Sequence, residues 1–182
     1  MIKIALCPLS MGFQHKAVKL ESGKHMSDVS YKDLYSASAN HLPLGTALDL
    51  HYQFNPQFTR WNRYVTAEAR SLVKAHDISH LIFGCDTGLL GEMQVQLWSK
   101  FAVQPMALRD TIRYARDKES RVLLKNPAGY LKMAIFFIKN FSEVKRVRTK
   151  CAAMSKKWIY FDEEKYFATP MGDIRATHGI VL

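Results

Sequence analysis

The sequence predicts a mainly α-helical protein with a helix-turn-helix core. A short strand is expected at the N-terminus and a small β-element, a hairpin with a third strand, at the C-terminus. Three observations carry this. Asn-Pro pairs at Asn55-Pro56 and Asn126-Pro127 each precede an apolar or amphipathic run, which is how helices start, because proline at the first helical position costs no hydrogen bond. Apolar residues recur at helical spacing, as in Phe58, Trp61, Val65 and Leu72. The last 25 residues change character to aromatic and β-branched runs broken by "DEE" and "PMGD", the punctuation of short strands.

Taken in order, "MIKIALCPLS" reads as a first strand, its apolar stretch being too short for a secretory signal. Residues 10–45 are loop-rich, with one short helix near "YKDLYSASA". A long helix follows Asn55-Pro56, and Arg60, Arg63, Arg70 and Lys74 form a stripe beside its apolar one. "HDISHLIFGCDTG" leads through an Asp-Thr-Gly turn into a helix from Leu89 to about Lys100, with Met93, Leu97 and Phe101 facing inward. Pro105 opens another helix, reaching about Lys118, and Asn126 caps a buried one from Pro127 to about Ile138. Residues 142–157 are basic and helical or mobile. Three parts result, separate or continuous: 1–84 for packing or partner contact, 85–138 as the core, and 139–182 as a basic segment with the β-element.

Charge narrows the function. Residues 109–158 hold fourteen Lys/Arg against four Asp/Glu, a balance of +10 that equals the net charge of the whole chain. Such concentration is the electrostatic footprint of a polyanion partner, because an ordinary solvated surface mixes both signs. Nucleic acid, duplex DNA first, is the expected partner, with a homodimer or protein partner open. No apolar run reaches the about 18 residues that span a bilayer, so no membrane partner is expected. Cys7, Cys85 and Cys151 lack a CxxC and predict reduced thiols in the cytoplasm.

Within the basic region, Leu97 to Arg116 has the layout of a helix-turn-helix. Phe101 anchors the first helix, Ala102-Val103 stand in the turn, and Leu108 and Ile112 anchor the second helix. Arg109, Arg113 and Arg116 fall at i, i+4 and i+7 on a face of their own. They would read or grip the major groove, with Gln104, Met106 and Asp110 placed for base contacts. Lys125, Lys132, Lys145, Arg146 and Arg148 would hold phosphates. Trp98 stands where such motifs carry alanine, and Ala102 where they carry glycine. The block with "KNPAGYLKMAI" resembles segments of helix-turn-helix DNA-binding proteins that control replication or transcription in plasmids, phages and integrative elements. The resemblance is one of pattern over about residues 90–138. It implies a transcriptional or replication-control factor of a mobile genetic element, without catalysis, metal or cofactor.

Two other readings stay open. One is a small metal-dependent nuclease or hydrolase. His76 and His80 stand four apart and share a helix face, with His51, Cys85 or Asp86 as a third ligand; alternatively Glu163 and Lys165 resemble half of a nuclease carboxylate–lysine site. The other is an RNA-binding or protein-assembly module using the same basic surface. No P-loop, GxGxxG or GxSxG signature occurs, so the residues lean toward a binder rather than an enzyme.

Overall fold

The computed structural model describes residues 29–61, 67–104, 135–136, 138–160 and 163–182. The regular structure of these residues is helical: α1 Tyr31–Leu34, α2 Leu44–Phe54, α3 Pro56–Trp61, α4 Ala67–Phe83, α5 Leu89–Phe101, α6 Phe141–Ala153 and α7 Met171–His178. Short 3-10 turns lie at Ala37–Ala39 and Glu163–Tyr166. None of the described helices is long and apolar enough to cross a membrane.

Local chemistry accounts for the boundaries. The Ser30 hydroxyl caps α1 by accepting the Asp33 N–H at 3.2 Å. Pro56 opens α3 as expected, directly after Asn55, whose N–H closes α2 on the His51 carbonyl at 2.9 Å. Helix α4 runs on through "HDISH" to Phe83 and stops at Gly84, whose φ of 64° is a left-handed conformation that suits glycine. A Cβ there would lie 2.8 Å from the Tyr35 carbonyl oxygen.

One buried apolar cluster draws on Leu34, Leu44, Ile78, Met93, Trp158 and Ile174, and so on nearly the whole described length. Helix α5 packs on α4 on one side and on α6 on the other. Trp98 of α5 lies flat on Phe83 of α4, with ring centroids 4.5 Å apart and planes 6° from parallel. A large residue at this position therefore makes the α4–α5 contact itself.

The expected C-terminal β-element is corrected. No β-strand occurs among the described residues, only isolated bridges between Pro43 and Pro170 and between Val103 and Trp158. "DEEKY" folds into the second 3-10 turn, and Pro170 leads directly into α7. The aromatic residues expected in strands pack in the core instead: Trp158 is fully buried, 5.2 Å from the His178 ring and 5.3 Å from Tyr166. Backbone pairing joins this segment to residues 40–45, with Leu44 N–H on Thr169 O at 3.0 Å and Met171 N–H on Leu42 O at 2.9 Å. Packing and these few bonds satisfy the segment without a sheet. The expected N-terminal strand, the helix expected from Pro105 and the start of the Asn126-Pro127 helix lie outside the described residues.

Arg175 of α7 ties the C-terminal part to the middle of the chain. It is buried, and its guanidinium donates to Ile82 O at 3.1 Å and Leu81 O at 2.6 Å, capping the last turn of α4. It also donates to Ser36 O at 3.3 Å and to Asn40 Oδ1. Burial pulls the group down to about 10, so it remains charged at neutral pH.

Candidate metal centre

His76 and His80 lie one helical turn apart on α4, and Glu92 lies in the first turn of α5. The turn at Cys85–Gly88 folds α5 back on α4, so the carboxylate faces both imidazoles. This reversal needs close backbone approach at Gly91, where a Cβ would sit 2.0 Å from the Asp86 carbonyl oxygen. Gly91→Ala should therefore displace Glu92, and loss of metal retention in a folded variant is the expected readout.

The donors converge. His76 Nε2 is 3.1 Å from His80 Nε2 and 3.2 Å from Glu92 Oε2, and His80 Nε2 is 3.4 Å from Glu92 Oε1. Zinc–nitrogen bonds of about 2.0–2.1 Å at tetrahedral angles place donors about 3.3–3.4 Å apart, close to these separations, with each histidine facing a different oxygen of the Glu92 carboxylate. The His80 side chain is 1% exposed, whereas those of His76 and Glu92 are 29% and 35% exposed. An ion held here has a buried side and a side open to solvent. Among the described residues this is the group of three His, Cys, Asp or Glu donors close enough for one ion, all within 4.8 Å of one another.

The His80 tautomer follows from its other nitrogen. Nδ1 lies 2.9 Å from the Cys85 carbonyl oxygen and 3.0 Å from that of Asp86. Carbonyls only accept, so Nδ1 carries the proton and the Nε2 lone pair of the neutral ring faces the centre. A carbonyl on the far nitrogen is the usual support of a metal-binding histidine.

Without metal the cluster is an ion pair. Burial pushes the Glu92 carboxyl up, but hydrogen bonds from His76 and His80 outweigh it and hold the group at about 2. Burial pulls His80 down, and the Glu92 carboxylate reverses this so that the net direction is up. Glu92 contributes stability that is complete above its unfolded value near 4.5 and is lost as pH falls through about 2. His80 contributes stability that is complete below its unfolded value near 6.5 and is lost as pH rises through its raised folded value. The melting-temperature difference between metal-free wild type and Glu92→Gln should therefore be largest between these unfolded values, and a difference that does not change with pH removes the pair.

The three proposed third ligands are corrected by Glu92. His51 is fully buried on α2, and its Nε2 has no hydrogen-bond partner and faces Asp77 Oδ1 at 3.8 Å. Burial pushes the Cys85 thiol up to about 12, so it stays protonated and contributes its carbonyl instead. The Asp86 carboxylate accepts the Gly88 N–H at 2.9 Å. Glu163 and Lys165 sit on a 3-10 turn, not a strand, with Glu163 buried and Lys165 over the Tyr166 ring, 5.1 Å from its centroid.

The expected phosphate contacts are partly in view. Lys145 and Arg148 are exposed on α6, with Lys145 5.0 Å from the centre of the Phe141 ring, while Arg146 pairs with Glu143 at 2.7 Å. Gln104 is exposed, and its N–H bonds the Trp158 carbonyl at 2.8 Å. Met106, Arg109, Asp110, Arg113, Arg116, Lys125 and Lys132 lie outside the described residues. The expectation of a protein that is not an enzyme is corrected: three converging donors form a cluster that could hold a metal ion. Comparison with known protein families, with curated proteins and with solved structures finds no match to this chain.

Proposed function

We propose that the protein is a metal-dependent enzyme of the hydrolase class, with His76, His80 and Glu92 holding one divalent ion. The observation that carries this is the convergence of three donors with one side open to solvent. Three protein ligands and a free position characterise catalytic rather than structural zinc. An ion there would supply a Lewis acid and lower the pKa of a bound water to about 7.

Basic residues beside the centre support an anionic substrate, nucleic acid first. The charges of Arg146 and Lys150 on α6 act on the Cys85 thiol, in the turn whose carbonyls hold His80. Gln94 of α5 donates to Glu143 of α6 at 3.0 Å, fixing this basic helix against the one that carries Glu92. Binding to duplex DNA should then weaken with salt by about 0.9 log units per tenfold salt for each phosphate contacted. A flat dependence in a filter-binding titration removes the polyanion. Free thiols at Cys85 and Cys151 support a reducing compartment such as the cytoplasm.

The donor set favours a second reading. Two histidines and one carboxylate on one face also suit non-haem iron and oxygen chemistry. Metal content separates the two. The purified chain, analysed for bound metals, should retain one zinc per chain and cleave DNA, RNA or a simple phosphodiester in a chelator-sensitive way that His76→Ala abolishes. Stoichiometric iron with oxygen consumption favours the second reading, and a chain that retains no first-row metal overturns both.

A further inference from the structure

We infer that Thr87, which is not a ligand, is a positioning residue of the metal centre and sets the orientation of His80. The inference rests on the metal-centre reading. His80 is steered by two carbonyls of one turn, those of Cys85 and Asp86. The ring can be no better placed than that turn. What fixes the turn is the next residue.

Thr87 lies in a network whose proton directions can be assigned. Its hydroxyl is 3.0 Å from Asn55 Oδ1, a pure acceptor, so Thr87 donates there. The Tyr31 hydroxyl, 2.8 Å away, must then donate to Thr87 Oγ1, and the Thr87 N–H returns a bond to the Tyr31 oxygen at 3.2 Å. Asn55 Nδ2 donates to the Tyr35 hydroxyl at 3.1 Å and to the His51 carbonyl at 2.8 Å. The Tyr35 hydroxyl, accepting from Asn55, is also hydrogen-bonded to His51 Nδ1 at 2.9 Å. The His51 ring lies 6.1 Å from the His80 ring, centre to centre.

One hydroxyl thus anchors the His80-holding turn to α1 through Tyr31 and to the end of α2 through Asn55. The Thr87 hydroxyl both donates and accepts, and the same fragment approaches the centre again through His51. Partners of this kind typically alter metal affinity by about 10–100-fold when removed. Valine matches threonine in shape but lacks the hydroxyl, so Thr87→Val isolates the hydrogen bonds. Serine keeps the hydroxyl and lacks the methyl.

The experiment compares wild type, Thr87→Val, Thr87→Ser and Tyr31→Phe as full-length chains. Zinc affinity is measured by competition with a chromophoric chelator, coordination by the visible spectrum of the cobalt-substituted chain, and folding by metal-free melting. The expected result is affinity lowered by about 10–100-fold in Thr87→Val with an altered cobalt spectrum, a smaller change of the same sign in Tyr31→Phe, and recovery in Thr87→Ser. Thr87→Val within twofold of a zinc-binding wild type, with an unchanged cobalt spectrum, overturns the positioning role alone. A loss that Thr87→Ser does not restore, or that only follows the metal-free melting temperature, assigns Thr87 to packing and also overturns it. A wild type that binds neither zinc nor cobalt overturns the metal centre itself, and this role with it.

Discussion

Glu92→Gln should lose bound metal on dialysis, with an affinity loss exceeding the about 100-fold that marks the upper range for residues acting through a ligand. Glutamine keeps the length and one carbonyl oxygen but removes the charge that balances a divalent ion. It also replaces one of the two carboxylate oxygens that face the imidazoles at 3.2 and 3.4 Å with an NH2 group, which cannot accept. In the metal-free chain the carboxylate holds His80 toward its charged form, so the variant frees His80 to lose its proton at lower pH. Metal affinity should therefore collapse while the residual proton competition at His80 weakens. Calorimetry with zinc at two pH values reads both quantities. A Glu92→Gln chain that keeps one tightly bound ion would exclude Glu92 as a ligand, and the histidine pair would need another partner.

Arg175→Ala should destabilise the protein by about 3–5 kcal/mol, among the largest effects of a single side chain here. The guanidinium makes hydrogen bonds to Ile82 O, Leu81 O, Ser36 O and Asn40 Oδ1. Each acceptor lies in the interior or at its edge, and carbonyls left there without a donor cost about 1–3 kcal/mol apiece, less than additively. No carboxylate pairs with the group in these bonds, so its removal strands acceptors rather than a charge. Arg175→Lys keeps the charge but not the planar fork, and should recover only part of the loss. Urea melts of the three chains measure this. A loss below about 1 kcal/mol for Arg175→Ala would show that water takes over the carbonyls of α4.

Local rules made much of this structure legible. Pro56 opens a helix, Leu89 opens the next long one, and four-residue spacing puts His76 and His80 on one face. Glu92 was missed because its role depends on how tightly the chain reverses between α4 and α5, and spacing along one helix says nothing of that. The available signal was Gly88 and Gly91 around the Asp-Thr-Gly turn, which permit the close return. The C-terminal segment misled for the opposite reason. Aromatic and β-branched residues favour strands only when a partner strand exists, and here Trp158, Tyr166 and Ile174 bury themselves against helices instead. Arg109, Arg113, Arg116, Lys125 and Lys132, expected to face DNA, lie outside the described residues.

The Arg175 cap also imposes an order of events during synthesis. Helix α4 carries both histidines, yet its last carbonyls receive their donor from a residue 93 positions further on. Until α7 is made, the Leu81 and Ile82 carbonyls at the end of α4 lack this donor. The end of the helix that carries both histidines is therefore completed only once α7 docks, so this long-range contact forms late relative to α4 itself.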